Sequence, residues 1–213
     1  MLSLLRASHI GPTFAVTFIS FLLATSLWWE GPAFIIAFGI FLGQLLVGWS
    51  NDLNDYPDDL KHNRTEKPLV SGEVSSKQLL RAVKICAPFA VIFNLFGPLG
   101  IKGGLIYLFG VGMGVAYNFY FKFSPLSPLP FAIAFAALPS SIAISKEITP
   151  PTWMWLGGAL LGMAAHFINV IKDMKEDYVS GIQGLPQKLG TKGSIIAATI
   201  LIALGITTLL LFL

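Results

Sequence analysis

Four aspartates, Asp52, Asp55, Asp58 and Asp59, interrupt a chain that is apolar for most of its length. They lie in residues 51–72, NDLNDYPDDLKHNRTEKPLVSG, beside the cations Lys61, Arg64 and Lys67. These carboxylates come after the apolar run from Gly31 to Trp49. At the C-terminal end of a helix built from that run, they meet a dipole that is already negative. That placement costs a few tenths to about 1 kcal/mol per group, and like charges at helical spacing add to it. A bound cation converts both penalties into coordination energy, so the chemistry this stretch suits is metal binding. Asn51, Asp55 and Asp59 recur every four residues and Asp52 lies three before Asp55, which sets them on one face of an unbroken helix. Pro57 predicts a kink or an end inside that series, leaving Asp52 and Asp55 as the firm pair. For a single cluster, a solvated helix end leading into a polar loop competes with the metal reading.

A second cluster tips the balance. Residues 166–190 read HFINVIKDMKEDYVSGIQGLPQKLG, in which Asn169, Asp173 and Asp177 match Asn51, Asp55 and Asp59 at a constant offset of 118 residues. Each triplet closes an apolar run and leads into a loop with Gly and Pro. Two such coincidences predict a repeated half-bundle and a paired site.

Composition defines the elements that must carry these residues. Of 213 residues, 54% are apolar and 12% charged, and the mean hydropathy is +0.73. That pattern points to an all-α, polytopic membrane protein and away from an ordinary soluble domain. The single cysteine, Cys86, leaves no internal disulfide and packs in an apolar helix. No separate cleavable signal is visible at the N-terminus, and no nucleic-acid motif anywhere. Seven apolar runs are expected to span the bilayer: about His9 to Trp29, Gly31 to Asp55, Lys77 to Phe96, Gly103 to Tyr120, Pro128 to Ser145, Thr152 to Asp177, and Gly193 to Leu213. Glu30-Gly31-Pro32, Gly97-Pro98, residues 124–130 and Thr149-Pro150-Pro151 separate them. Pro88 and Pro139 predict kinks inside spans, which membrane bundles tolerate. Trp28, Trp29, Trp153 and Trp155 read as interfacial anchors.

Seven spans put the N-terminus and the second, fourth and sixth connections on one side. That side holds 12 of the 14 cations, leaving Lys102 and Lys146 opposite. By the positive-inside rule it is cytoplasmic, and both aspartate clusters fall on it.

Carboxylate pairs at two helix ends suit a hard divalent cation. No Cys/His set has zinc spacing, and His9, His62 and His166 are scattered. Magnesium takes one or two carboxylates and completes its octahedron with water and phosphate oxygens. Arg64, Lys67, Lys122 and Lys172 suit the remaining phosphate oxygens, although topology alone accounts for each, and pairing with Asp173 accounts equally for Lys172. Together they describe a diphosphate head at the membrane surface over an apolar cavity, which fits an amphiphile with a hydrocarbon tail.

At these residues the sequence resembles the UbiA-type membrane prenyltransferases, whose first signature is N-D-x-x-D-x-x-x-D. Here it reads Asn51-Asp52, Asp55 and Asp59. The second, D-x-x-x-D, matches Asp173 and Asp177. The family's basic-Pro-Leu element appears as Lys67-Pro68-Leu69, with lysine where arginine is more usual. Tyr117 and Lys122 resemble the tyrosine and lysine that end the fourth helix, and LRASHIGPT resembles the start of the first. The resemblance spans nearly the whole chain and implies one prenyltransferase-like transmembrane domain over residues 1–213.

It also implies a Mg2+-bound prenyl diphosphate between the two motifs. Metal and basic side chains would stabilise the leaving diphosphate, an apolar cavity would shield the allylic cation from water, and an acceptor would attack, commonly an aromatic ring such as a quinone precursor. Asp52, Asp55, Asp59, Asp173 and Asp177 are the implied metal ligands, and Asp55, Asp59, Asp173 and Asp177 the catalytic set. Asn51 joins them at the diphosphate, Arg64, Lys67 and Lys122 are the implied clamps, and Asn169 and Tyr117 orient the substrate or stabilise the cation. His166 shares the Asn169 stripe and is expected to make a buried structural hydrogen bond.

The family usually has about nine spanning helices, so this chain is expected to lack the last two, which come after the second motif. A compact variant, a shortened chain and a bundle completed by a second chain all meet that expectation. Donor chain length, acceptor and oligomeric state are not set by the sequence. Three rivals remain. A CDP-alcohol phosphotransferase also clusters aspartates, but its D-G-x-x-A-R element is absent. An ion-coupled transporter would place its acids nearer the middle of the bilayer. An inactive paralogue would bind prenyl diphosphate without transfer.

Overall fold

The computed structural model describes residues 2–212; Leu213, the expected end of the seventh span, lies outside the described residues. Among the described residues every regular element is helical. The order is α1 (Leu2–Arg6), α2 (Ile10–Thr25), α3 (Glu30–Lys61), α4 (Ser76–Phe96), α5 (Gly100–Phe119), α6 (Pro128–Ile144), α7 (Gly158–Val179) and α8 (Leu185–Phe212), with a 3-10 turn at Phe121–Phe123 and a π turn at Trp153–Gly157. Among the described residues five spans are long and apolar enough to cross a membrane, the π turn and α7 together forming one of them; α2 and α6, at 16 and 17 residues, are shorter apolar helices. The seven expected runs are thus all present as helices.

One boundary corrects the sequence reading. The helix α3 neither ends nor breaks at Pro57 but continues to Lys61, 32 residues in all. A proline mid-helix removes one hydrogen bond. Here the helix continues, and Arg64 and Lys67 both bond to Asp59 in the turn beyond the proline. Asp59 therefore stays in register with Asn51, Asp52 and Asp55.

The chain divides into two compact units, Met1–Val111 and Gly112–Leu213, each with one aspartate motif. In the first, α3 is the axis. Asn94 of α4 donates its amide to the Gly39 carbonyl at 3.0 Å and to Ala90 at 2.7 Å, and Tyr107 of α5 donates its hydroxyl to Ile40 at 2.8 Å. Such buried polar contacts tie helices together where surrounding lipid gives no hydrophobic drive for association. One partner position on α3 must stay small: a Cβ at Gly39 would fall 2.9 Å from the Asn94 amide oxygen. A capping box between Ser75 and Gln78 starts α4.

In the second unit α7 packs on α6 through glycine. A Cβ at Gly162 would fall 2.6 Å from that of Phe135. Gly190, at φ 68°, kinks α8 just before its apolar stretch. The outward side chains of both units are large and apolar, among them Phe18, Phe89, Ile196 and Leu210, the last 76% exposed. In water this would be a liability; against hydrocarbon it is the expected surface.

Candidate diphosphate and metal site

The first motif occupies the last three turns of α3, and two flanking segments build a site around it. The N-terminal segment lies against it on one side. Trp49 donates its indole N–H to the Leu4 carbonyl at 2.8 Å, and any side chain at Gly48 would overlap the backbone of Ser8. These contacts hold His9 in the left-handed region at φ 56°, a conformation that costs free energy for a non-glycine residue. Its imidazole meets the motif, with Nε2 2.9 Å from the Asn51 side-chain oxygen and 3.4 Å from the Asp52 carboxylate. The hydrogen bond to Asp52 raises the His9 pKa above its ordinary value, against the opposing effect of burial.

On the other side, α3 ends in a Schellman motif. Asn63 takes a left-handed φ of 49°, while the Asn63 and Arg64 amides donate to the carbonyls of Leu60 and Asp59 at 3.2 and 3.1 Å. That turn folds residues 64–67 back over the helix end. Arg64 Nη1 then donates to Asp59 Oδ1 at 3.0 Å and Lys67 Nζ to Asp59 Oδ2 at 2.6 Å. Lys67 also stands 3.7 Å from Asp52. Asp52 and Asp59 are both buried. Asn51 donates to Asp55 Oδ2 at 3.0 Å, which completes the polar stripe, and Asp58 pairs with His62 at 3.5 Å.

The second motif ends its helix the same way. Gly181 is left-handed at φ 73°, with its amide and that of Ile182 donating to Tyr178 and Asp177 at 3.3 and 2.9 Å. Asp59 and Asp177 thus occupy the same place in two Schellman caps, so the repeat read from sequence extends into backbone geometry. Asp173 and Asp177 are half-buried and Asn169 is exposed on the same helix. The side chains beyond the cap differ. Asp177 accepts from the Gln187 amide at 2.7 Å, where the first motif uses two cations.

Lys122 is buried in the 3-10 turn, 5.1 Å from the centroid of the Phe123 ring. Tyr117 stacks edge-on with Phe131 and His166, at 5.0 and 5.3 Å between centroids. The expected structural bond of His166 is present, Nε2 lying 3.0 Å from Ser127 Oγ. Sequence reasoning passed over His9, Ser127 and Gln187. A lone histidine, hydroxyl or amide carries no spacing signal, and their partners lie 42 (His9–Asn51), 39 (Ser127–His166) and 10 (Gln187–Asp177) positions away.

Among the described residues no three His, Cys, Asp or Glu side chains converge as a ready cation cage. The donor set still fits magnesium, which needs only one or two carboxylates when phosphate oxygens supply the rest. At the end of α3 the carboxylates thus alternate with an arginine and a lysine. The chain belongs to the UbiA prenyltransferase family, whose profile matches residues 13–213. It is 30% identical over 175 residues to the digeranylgeranylglyceryl phosphate synthase of Archaeoglobus fulgidus, covering 76% of this chain and 57% of that protein. Its fold is similar to that of a UbiA homologue from Archaeoglobus fulgidus bound to GPP and Mg2+, with a TM-score of 0.79 at 16% identity over 97% of this chain and 76% of the other. A UbiA homologue from Aeropyrum pernix K1 in its apo form is similar too, at TM-score 0.74 and 19% identity over 92% and 75% of the two chains.

Proposed function

We propose that this protein transfers a prenyl group from a prenyl diphosphate to an acceptor within the membrane, with Mg2+ bound at its aspartates. The observation that carries the reading is the buried Asp59 carboxylate held jointly by Arg64 and Lys67, one helical turn beyond Asp55. Bound Mg2+ would neutralise the departing diphosphate. Mg2+ ligands are assigned at each motif separately: Asp52, Asp55 and Asp59 at the first, Asp173 and Asp177 at the second. Arg64 and Lys67 then pass from Asp59 to the phosphate oxygens, an exchange of one anion for another that leaves neither cation bare. Asn51, Lys122, Asn169 and Tyr117 are assigned to binding and orienting the donor. The whole chain serves as one catalytic domain, and the charge distribution along the sequence supports a cytoplasmic site.

The acceptor has two readings. An aromatic ring is the reading from sequence. A phosphate-bearing lipid is favoured by a cleft of about 310 Å³ beside Asp52, whose walls carry Arg6, His9 and Lys67, and the archaeal relative is named for a glyceryl phosphate.

The test is thermal stability of the detergent-purified protein with geranyl thiodiphosphate, with and without Mg2+. At 100 times its dissociation constant a ligand adds roughly 2.7 kcal/mol. A Mg2+-dependent rise that Asp55→Asn and Asp173→Asn both abolish is the expected result; no rise in the unaltered protein overturns the reading. Labelled prenyl diphosphate offered with an aromatic acceptor or a glyceryl phosphate lipid then separates the acceptor classes by product.

A further inference from the structure

Gln187 is buried, 4% exposed, and folding leaves it only half satisfied. Its Nε2 donates to Asp177 Oδ2 at 2.7 Å, whereas its Oε1 is buried without a hydrogen-bond partner. The orientation is fixed by chemistry, because a carboxylate only accepts and so must face the amide nitrogen. A buried polar atom left unpaired costs about 1–3 kcal/mol, and an apolar side chain of the same size would avoid that cost. The bond to Asp177 offsets that cost, so the amide is kept for what it does to the carboxylate.

The surroundings hold this amide closely. The Gly181 cap turns the chain back so that residue 187 meets residue 177. Leu185 N–H donates to Ser127 Oγ at 3.1 Å, Ser194 Oγ donates to the Pro186 carbonyl at 3.1 Å, and Tyr178 donates its hydroxyl to the carbonyl of Gln187 itself. Gly184 completes the seat: a Cβ there would lie 2.7 Å from Gln187 Oε1 and 2.8 Å from Ser127 Oγ. In the first unit the equivalent aspartate, Asp59, is held by Arg64 and Lys67. At offset 118 those positions carry Ile182 and Leu185, which have no charge to give. At the second motif the amide of Gln187 donates to the aspartate instead.

We propose that Gln187 is the positioning residue of the second aspartate motif, fixing the Asp177 carboxylate in the orientation that meets Mg2+. The inference rests on the prenyl-diphosphate reading. A neutral donor orients the carboxylate without competing for it as a cation would.

The experiment is a Mg2+ titration of the full chain at saturating geranyl thiodiphosphate, read by thermal shift and by calorimetry, on the unaltered protein and on Gln187→Met. Methionine matches the length of glutamine and cannot donate. Loss of an outer hydrogen bond to a metal ligand typically lowers metal affinity 10–100-fold. The expected result is an apparent Mg2+ dissociation constant raised by that factor. An unchanged Mg2+ constant in Gln187→Met, with the unaltered protein binding normally, overturns the positioning role and leaves the prenyl-diphosphate reading standing. No Mg2+-dependent binding by the unaltered protein overturns both. Should Gln187→Met fail to fold, Gln187→Leu, smaller and equally unable to donate, is titrated against the same two outcomes.

Discussion

Lys67 closes on Asp59 at 2.6 Å although the two lie on different segments, a helix end and the turn beyond it. Asp59 is 1% exposed, so its charge is tolerable only while cations face it. Replacing Lys67 with methionine leaves Arg64 alone against that carboxylate. The expected loss is about 1–3 kcal/mol, the cost of an under-satisfied buried polar group, measured as the denaturation midpoint in detergent. Adding Asp59→Asn should restore much of it, because the charge that needed Lys67 has gone. A double variant no more stable than Lys67→Met would show that the pair is not coupled in this way.

Gly48 transmits the position of the N-terminal segment to the motif. A methyl at this position would overlap the Ser8 carbonyl, and backbone cannot rotate out of the way as a side chain can. Gly48→Ala should therefore cost about 1–3 kcal/mol through overpacking and lift His9 from Asn51 and Asp52. The Mg2+-dependent shift with geranyl thiodiphosphate should weaken with it. Gly11, which has nothing within 4 Å of its missing Cβ, is the control: Gly11→Ala should be neutral or slightly stabilising. Equal effects at the two positions would remove the argument.

What the sequence disclosed and what it withheld divide along one physical line. Asn51, Asp55 and Asp59, with their counterparts Asn169, Asp173 and Asp177, were legible because helical periodicity alone sets residues four apart on one face. The spans were legible because hydrocarbon demands long apolar runs. Pro57 misled because local propensity predicts a break, while the contacts of Asp59 with Arg64 and Lys67 lie in the third dimension. His9, Ser127 and Gln187 were illegible for the same reason. His9 and Asn51, 42 positions apart, form no pattern until α2 and α3 pack.

The clasp between Glu73 and Arg6 gives a pH test of how the N-terminal segment is held. Arg6 Nη1 lies 2.8 and 2.9 Å from the two Glu73 carboxylate oxygens, and its Nη2 donates to the Glu66 carbonyl at 3.1 Å. Hydrogen bonds from Ser3 and Arg6 hold the Glu73 carboxyl below its ordinary value of 4.5. Because the folded pKa is the lower one, the clasp's contribution is complete above the unfolded value and fades as pH falls through the folded one. The unaltered protein should exceed Glu73→Gln in stability at pH 6, with the difference closing below pH 4.5. A difference that persists undiminished in acid would mean that the Glu73 charge is not what holds α1.

Ser127 is the small residue on which the second motif's return loop depends. It is 1% exposed, and its hydroxyl accepts from Leu185 N–H at 3.1 Å while standing 3.0 Å from His166 Nε2. Ser127→Ala strands both partners in a dry interior, so about 1–3 kcal/mol should be lost, and the Leu185 amide should exchange with deuterium much faster. His166→Phe provides the contrast. Phenylalanine keeps a ring against Tyr117 and Phe131 and removes two buried nitrogens, one of which, Nδ1, has no partner. It leaves Ser127 still bonded to Leu185, so its cost should be the smaller, or its sign reversed. If His166→Phe proves the more damaging, then the imidazole rather than the hydroxyl anchors the loop. The path from α7 through Ser127 to the seat of Gln187 would then have to be redrawn with His166 at its centre.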